Sequence, residues 1–353
     1  MRILLVGSFG SPQRDEAIVR GFRECGAAVG ACAYGDLLYS RKLLMRIQFR
    51  FSAGPVCFAL ARRVCDAAER FQPDLIFFRR PLEFTPRMIR YIRRHCHALL
   101  TSFNNDNPFS PAYRDRRWRM MRRAIPLFDI HFAFRRCNVV QYWEHGARRV
   151  ALWEPFYSPW LHRPLSSNGS VGQSNGEVVF AMHSERDGRR EAVLSLLAAG
   201  LPVRVYSWNW AQEFGERDAR SVGVAQPVWG DEYVTTVQNA MATLCFCSKQ
   251  NGDELTSRVF EIPACGGLLV AERNERISGL FRDGEEAVLF SSKEELVRRV
   301  RELRDSPDLV RRIKVQGHKR VLSSRHSVVD RCQDAMELLQ GVICGTSPKT
   351  LGP

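Results

Sequence analysis

Arg2-Ile3-Leu4-Leu5-Val6-Gly7-Ser8-Phe9-Gly10 opens the chain with an apolar run closed by two glycines. An unbroken aliphatic run predicts a strand buried on both faces, as in parallel sheets. Gly7 to Gly10 then makes a tight turn, and the polar, helix-patterned stretch 15–25 follows, so the opening reads as a βα unit. The alternation continues outward from it. Strand-like runs fall at 74–78, 98–101, 130–134 and 149–152, with amphipathic helical stretches at 56–70 and 86–94. Strands alternating with helices imply a parallel, doubly wound sheet.

Residues 165–176 are almost devoid of apolar side chains and read as a linker or exposed loop. Beyond them the pattern restarts, with strands at 178–181, 203–206, 243–247, 268–271 and 287–290. Helical stretches fall at 190–199, 231–240, 256–264 and 292–303, then run from about 307 towards 339. A chain of 353 residues also exceeds what one core usually organises. The expected architecture is α/β, with two Rossmann-like, doubly wound domains. They span 1–165 and 177–343, the second including the C-terminal helices, with a linker or loop at 166–176 and a frayed tail at 344–353.

With 45% hydrophobic and 25% charged residues the composition is globular, which excludes a disordered or fibrous chain. The first apolar run is too short for a signal-peptide core or a bilayer span. The expected location is the cytoplasm, at most peripheral to the inner membrane face. Eleven scattered cysteines, an odd number without paired C-x-x-C arrays, fit reduced thiols better than a disulfide framework or zinc site. Cys245, Cys247 and Cys265 lie in apolar surroundings and are expected to be packing residues. A formal charge of +14 favours an acidic partner: a nucleoside diphosphate, nucleic acid or an anionic lipid surface. The excess is almost all arginine. Its densest cluster comprises Arg79, Arg80, Arg87, Arg90, Arg93 and Arg94, then Arg114, Arg116, Arg117, Arg119, Arg122 and Arg123. A solvated face is the plain alternative.

The segment richest in chemistry is Asn251-Gly252-Asp253-Glu254-Leu255-Thr256-Ser257-Arg258-Val259-Phe260-Glu261-Ile262-Pro263-Ala264-Cys265-Gly266-Gly267. Thr256 is placed to cap a helix whose end Gly266 marks. Arg258 and Glu261, three apart, share a face of that helix, and the carboxylate can accept two hydroxyl hydrogen bonds, which a ribose diol requires. A guanidinium beside a helix start with unpaired N–H groups would favour a diphosphate. Spacing alone equally allows an exposed Arg–Glu pair worth about 0.3 kcal/mol. In the first half Asp106 is the candidate acidic group on the acceptor side, flanked by Asn104 and Asn107 as partners for sugar hydroxyls. The alternative is an Asp/Asn-rich turn before Pro108. Gly7 and Gly10 would let the backbone approach a diphosphate or the transferred sugar without steric cost. The turn is not G-x-G-x-x-G and no acidic strand end follows it, which argues against a nicotinamide or flavin enzyme, so no cofactor is expected. The sequence holds no D-x-D pair to clamp a metal on a diphosphate.

The block 255–267, followed by Leu280-Phe281-Arg282-Asp283-Gly284-Glu285-Glu286-Ala287-Val288-Leu289-Phe290 and Lys293-Glu294-Glu295-Leu296, resembles the C-terminal half of the CgeB-like spore-maturation glycosyltransferases. These are relatives of the large retaining glycosyltransferase family four. Phe103-Asn104-Asn105-Asp106-Asn107-Pro108-Phe109 and Asp129-Ile130-His131-Phe132 also resemble CgeB-type segments. The resemblance implies the GT-B fold, with two Rossmann-like domains facing a central cleft. It further implies metal-independent transfer, with retention, of a sugar from a UDP-, GDP- or dTDP-linked donor. In the wider group two acidic residues eight apart bind the donor, the second holding the ribose. Glu261 matches the second, Asp253 falls at the first with a shorter reach, and Glu254 competes with it. By the same likeness Arg190 lies near the donor phosphates and His183 lines the cleft. Arg258 and Arg190 then neutralise the leaving diphosphate, which places Arg258 beside Asp106 as a catalytic candidate.

The implied partners are the nucleotide-sugar donor and a glycan, lipid-linked or protein acceptor; within that reading the arginines would dock on an anionic membrane or on an acidic polysaccharide acceptor. Two readings compete. One is a nucleic-acid-binding protein using the arginines at 79–123 with Phe77, Phe78, Tyr91 and Trp118 as stacking groups, although these aromatics are better explained as core. The other is a GT-B protein that binds sugar nucleotides without turning them over. Nucleic acid is the less expected partner.

Overall fold

The computed structural model describes residues 1–9, 12–39, 54–165 and 174–345. It divides into two compact units, one formed by 1–154 with 328–353, the other by 155–327. In the first, β1 (Arg2–Gly7), β2 (Ala28–Ala33), β3 (Leu75–Arg79), β4 (Leu99–Asn104), β5 (Ile130–Ala133) and β6 (Val150–Leu152) form a parallel sheet in the order β2-β1-β3-β4-β5-β6. β3 is buried throughout, and β1 from Ile3 onward, which is why both read as continuous apolar runs. Successive side chains leave β3 on opposite faces. Phe77 packs with Phe22, Phe132 and Trp153, whereas Phe78 packs with Phe84 and Phe128. Both rings are core, and neither is available for stacking on a base.

The second unit carries β7 (Val178–Ala181), β8 (Val203–Tyr206), β9 (Ala242–Cys245), β10 (Leu269–Glu272) and β11 (Val288–Phe290), all parallel, in the order β11-β10-β9-β7-β8. Numbered within its own unit, each sheet begins 2-1-3-4-5, so each reverses between its first and third strands. Among the covering helices, Gly230–Asn239 ends against a buried lysine. Lys314 Nζ donates to the carbonyls of Gln238 and Ala240 at 2.8 and 2.6 Å, satisfying acceptors that a helix end leaves open. Burial lowers that ammonium to about 8.

The expected extent of the second domain, 177–343, is corrected at its far end. Helix Val328–Ile343 belongs to the first unit, where it packs against helix Pro12–Glu24. Gly21 makes this possible: a Cβ there would lie 2.8 Å from Cys332 Sγ and 3.2 Å from Val328 Cγ2. Trp153 Nε1 donates to the Arg331 carbonyl at 2.6 Å and ties the helix down. The units part at Pro155, ahead of the expected loop at 166–176. Residues 166–173 of that loop, Gly10 and residues 346–353 of the tail lie outside the described residues. No helix among the described residues is long and apolar enough to cross a membrane.

Candidate functional site

Open parallel sheets bind ligands beyond the carboxyl ends of the strands where the strand order reverses. In the second unit that place is between β7 and β9, and the loops after both strands bring charges together there. His183 Nε2 and Glu185 Oε1 are 2.7 Å apart, and Ser248 donates from the loop after β9 to Glu185 Oε2 at 2.8 Å. Arg189, 0% exposed, donates to Asp187 Oδ2 at 3.0 Å and to the His183 carbonyl at 2.8 Å. Its Nη2 stands 3.6 Å from Glu185 Oε2. Lys249 Nζ joins the Asp187 carbonyl, at 3.0 Å, to Glu272 Oε1 at the end of β10, at 2.9 Å. Burial alone would raise the Glu185 carboxyl. The bonds from His183 and Ser248 and the charge of Arg189 outweigh it and hold the group at about 2.

The loop after β9 continues into helix Arg258–Ala264. Thr256 is not its cap; Ser257 holds that position and makes no side-chain capping bond. The amides of Val259, Phe260 and Glu261 already donate to the Thr256 and Ser257 carbonyls, so these three are not the unpaired N–H groups expected at the helix start. Attraction for an anion rests instead on the Arg258 side chain. Gly266, at φ 79°, follows the helix end as expected. Glu261 is only 8% exposed, accepts from Arg258 Nη1 at 2.7 Å on Oε2, and has Oε1 4.0 Å from His162 Nε2. The Arg258 guanidinium lies over the buried Tyr233 ring, 4.3 Å from its centroid. Burial alone would lower the Arg258 guanidinium; Tyr233 and Glu261 outweigh it and keep the group charged. The pair is therefore not an exposed surface bridge. The first cluster lies on the loops after β7 and β9, and the Arg258–Glu261 pair on the helix that the second of these loops leads into.

Other residues singled out by sequence fall less centrally. Arg190 points away from Arg189 and pairs with Asp218, whose other oxygen accepts from Trp210 Nε1 at 2.7 Å. It lines a separate cavity of about 400 Å³ with Arg186, Gly188, Glu191, Glu213 and Phe214. The buried guanidinium at this strand end is that of the neighbouring Arg189. Asp253 is half-buried, its amide bonded to the Ser248 carbonyl, and Glu254 is exposed. Cys245, Cys247 and Cys265 are buried, with thiols pushed up by desolvation, Cys247 to about 12. Ser248, Lys249, Tyr233 and His162 carried no signal in the sequence. Glu185 and Asp187 did, as the alternation Glu185-Arg186-Asp187-Gly188-Arg189 directly after a strand.

In the first unit the reversal lies between β1 and β3. Asp15, fully buried, stands 2.5 Å from Arg79 Nη1. Among the described residues neither Asp15 oxygen nor Arg79 Nε makes a hydrogen bond. Desolvation raises the Asp15 carboxyl and lowers the Arg79 guanidinium to about 10. Gly7 ends β1 here, and a Cβ on it would lie 3.9 Å from Arg79 Cβ. Tyr34 donates to Glu83 Oε2 at 3.1 Å, and Arg80 Nε donates to Asp106 Oδ2 at 2.7 Å. The two asparagines beside Asp106 serve the turn. Asn104 Oδ1 accepts the Asp106 amide at 3.0 Å, while Asn107 Oδ1 accepts the Phe109 amide at 3.0 Å and Asn138 Nδ2 at 2.8 Å. Asp129 and His131 are scaffold as well, buried and bonded to Leu100 N and to Ser102 and Ile125.

Residues 189–337 match the family model described as Glycosyl transferase-like. Among solved structures, Anabaena HepE in complex with UDP and glucose is similar at 15% identity, over 97% of this chain and 100% of that one, with a TM-score of 0.66. Sucrose-phosphate synthase from Thermosynechococcus elongatus is similar at 12% identity over 98% and 100%, with a TM-score of 0.67. A glycosyltransferase from Rickettsia africae is similar at 12% over 97% and 98%, with a TM-score of 0.61. No curated protein matches the chain. The fold is α/β of the GT-B class, with two parallel-sheet domains. The glycosyltransferase-like match covers most of the second unit and runs into helix Val328–Ile343 of the first.

Proposed function

We propose that the chain is a CgeB-like glycosyltransferase that moves a sugar from a nucleotide-sugar donor to an acceptor, without a metal and with retention. The observation that carries this reading is the buried Glu261, held by Arg258 inside the block that resembles that group. A carboxylate offers about four lone-pair sites, so Glu261 can accept a ribose diol while bonded to Arg258. Arg258 and Arg189, the latter replacing Arg190 in this role, neutralise the diphosphate as it leaves, and Lys249 adds a third cation. His183, Asp253 and Glu254 border the donor on the loops after β7 and β9. Gly7 gives backbone access, and Asp106 is the acidic group on the acceptor side. HepE has been solved with UDP-glucose, which makes that compound the first donor to try. The acceptor is a glycan, a lipid-linked species or a protein, and association with an anionic membrane belongs to the same reading.

The test is a thermal-shift series with UDP, GDP, dTDP and their sugars, since a bound ligand raises the melting temperature by mass action. At least one should stabilise the wild type and fail to stabilise Glu261→Ala. A protein indifferent to all of them, or a variant that responds like the wild type, overturns the reading. Turnover that survives excess EDTA supports metal independence, and turnover lost to EDTA and restored by Mg²⁺ refutes it. The anomeric configuration of the product, read by NMR, decides retention.

A further inference from the structure

Two neighbouring helices of the first unit, Pro86–His95 and Arg116–Ala124, repeat one arrangement of arginine. Arg87, Arg90 and Arg94 on one, and Arg116, Arg119 and Arg123 on the other, stand at i, i+3 and i+7, a spacing that puts three guanidinium groups on one helix face. All six are exposed, and among the described residues no ion pair joins any of them to a carboxylate. The other arginines of the same helices have partners in the protein. Arg93 donates to the Leu127 carbonyl and Asp129, Arg122 donates to the Pro108 and Tyr113 carbonyls, and Arg117 pairs with Asp115. Neither helix contains an acidic residue. A merely solvated face intersperses both signs, whereas like charges at these spacings repel and gain only when an anion arrives.

An apolar element adjoins the charges. Helix Pro55–Phe71 packs against Pro86–His95, and its Phe58, 53% exposed, meets Tyr91 edge-on at 5.7 Å between ring centroids. We propose that the outer face of these three helices docks on an anionic lipid surface, Phe58 supplying the apolar anchor and the six arginines the electrostatic attraction. This names the surface for the membrane association put forward above, and it stands independently of the donor site. Single-stranded nucleic acid suits the face less well, because it needs a row of aromatic rings open for stacking, and among the described Phe, Tyr and Trp residues of these helices Phe58 alone is exposed. Tyr91 is already stacked on His95 at 4.1 Å, and buried Trp118 on Tyr113 at 4.3 Å.

Flotation of the full-length protein with phosphatidylcholine vesicles, plain or containing about one third phosphatidylglycerol, tests the surface. Binding is expected only to the anionic vesicles, and high salt should release it. Each arginine neutralised should weaken partitioning roughly fivefold, so the fourfold variant Arg90→Glu, Arg94→Glu, Arg119→Glu, Arg123→Glu should lose at least about a hundredfold. Phe58→Ser should lose about tenfold. Lysine at the same four positions should bind like the wild type. Nucleotide-induced thermal shift is measured on every variant; its retention shows an intact fold and keeps failure of this surface distinct from failure of the donor site. The proposal is overturned if the fourfold glutamate variant floats like the wild type, or if plain vesicles bind equally well. It is also overturned if single-stranded RNA competes the protein off anionic vesicles at equal phosphate.

Discussion

The two sheets reverse at the same point of their strand order, yet the two reversals are furnished differently. Between β1 and β3 a buried pair, Asp15 with Arg79, meets at 2.5 Å, and among the described residues neither carboxylate oxygen makes a hydrogen bond. Between β7 and β9, Glu185, Asp187, Arg189, Ser248 and Lys249 bond to one another across two loops. The first arrangement depends on one partner. The second is a network in which Glu185, Arg189 and Lys249 are each held by more than one partner. Topology sets where a ligand can sit; the bonding of the charges found there determines what each reversal does.

The largest effect should come from breaking the thinner pair. Asp15→Ala leaves Arg79 buried and alone, and denaturant unfolding should show a loss of about 3–5 kcal/mol, most of it restored by Asp15→Leu with Arg79→Met. A double variant as unstable as the single one would break the contrast. Next comes Glu185→Gln. The folded carboxyl lies at about 2, below its ordinary 4.5, so its contribution is fully present above about 4.5 and is lost as the pH falls towards 2. The variant should be less stable than the wild type by about 3 kcal/mol at neutral pH, and the difference should vanish near pH 2. Glu261→Ala should weaken nucleotide binding about a hundredfold by calorimetry, as expected for lost hydrogen bonds to a charged group. The Asp15→Leu, Arg79→Met protein should keep its affinity within about threefold. The smallest effect is that of Arg190→Ala, below about 1 kcal/mol in stability and nil in nucleotide affinity, because its bridge to Asp218 is half-exposed.

Several of these features can be read from the linear chain. Strands 178–181 and 203–206 are found where the apolar runs and their flanking turns put them. β2 escapes notice because Ala28–Ala33 is built of small residues with only Val29 and Cys32 buried, which leaves no apolar run to detect. Helix Arg116–Ala124 hides beneath its own charge, although Asp115 caps it and Trp118, Met121 and Ala124 form its buried stripe. The Arg258–Glu261 pair is legible because both partners share one helix. Arg189 and Arg190 differ by helix phase, which spacing after a strand does not reveal: Arg189 lies on the stripe of Ala192, Val193 and Leu196, and one residue further on points away from it. His162 and Tyr233 meet the site only through tertiary packing, which no local pattern announces.

The return of helix Val328–Ile343 to the first unit has a consequence for how the chain is nested. Tyr157 N donates to the His326 carbonyl at 3.1 Å, and Tyr157 bridges Ser327 in parallel fashion, so the outgoing and incoming strands of the second unit lie side by side. Residues 155–327 are thus an insertion with adjoining ends, the piece suited to excision, grafting or circular permutation. A premature stop before residue 328 would have the opposite result: it would strip the amino-terminal lobe of its closing helix and leave the groove at Gly21 open to water.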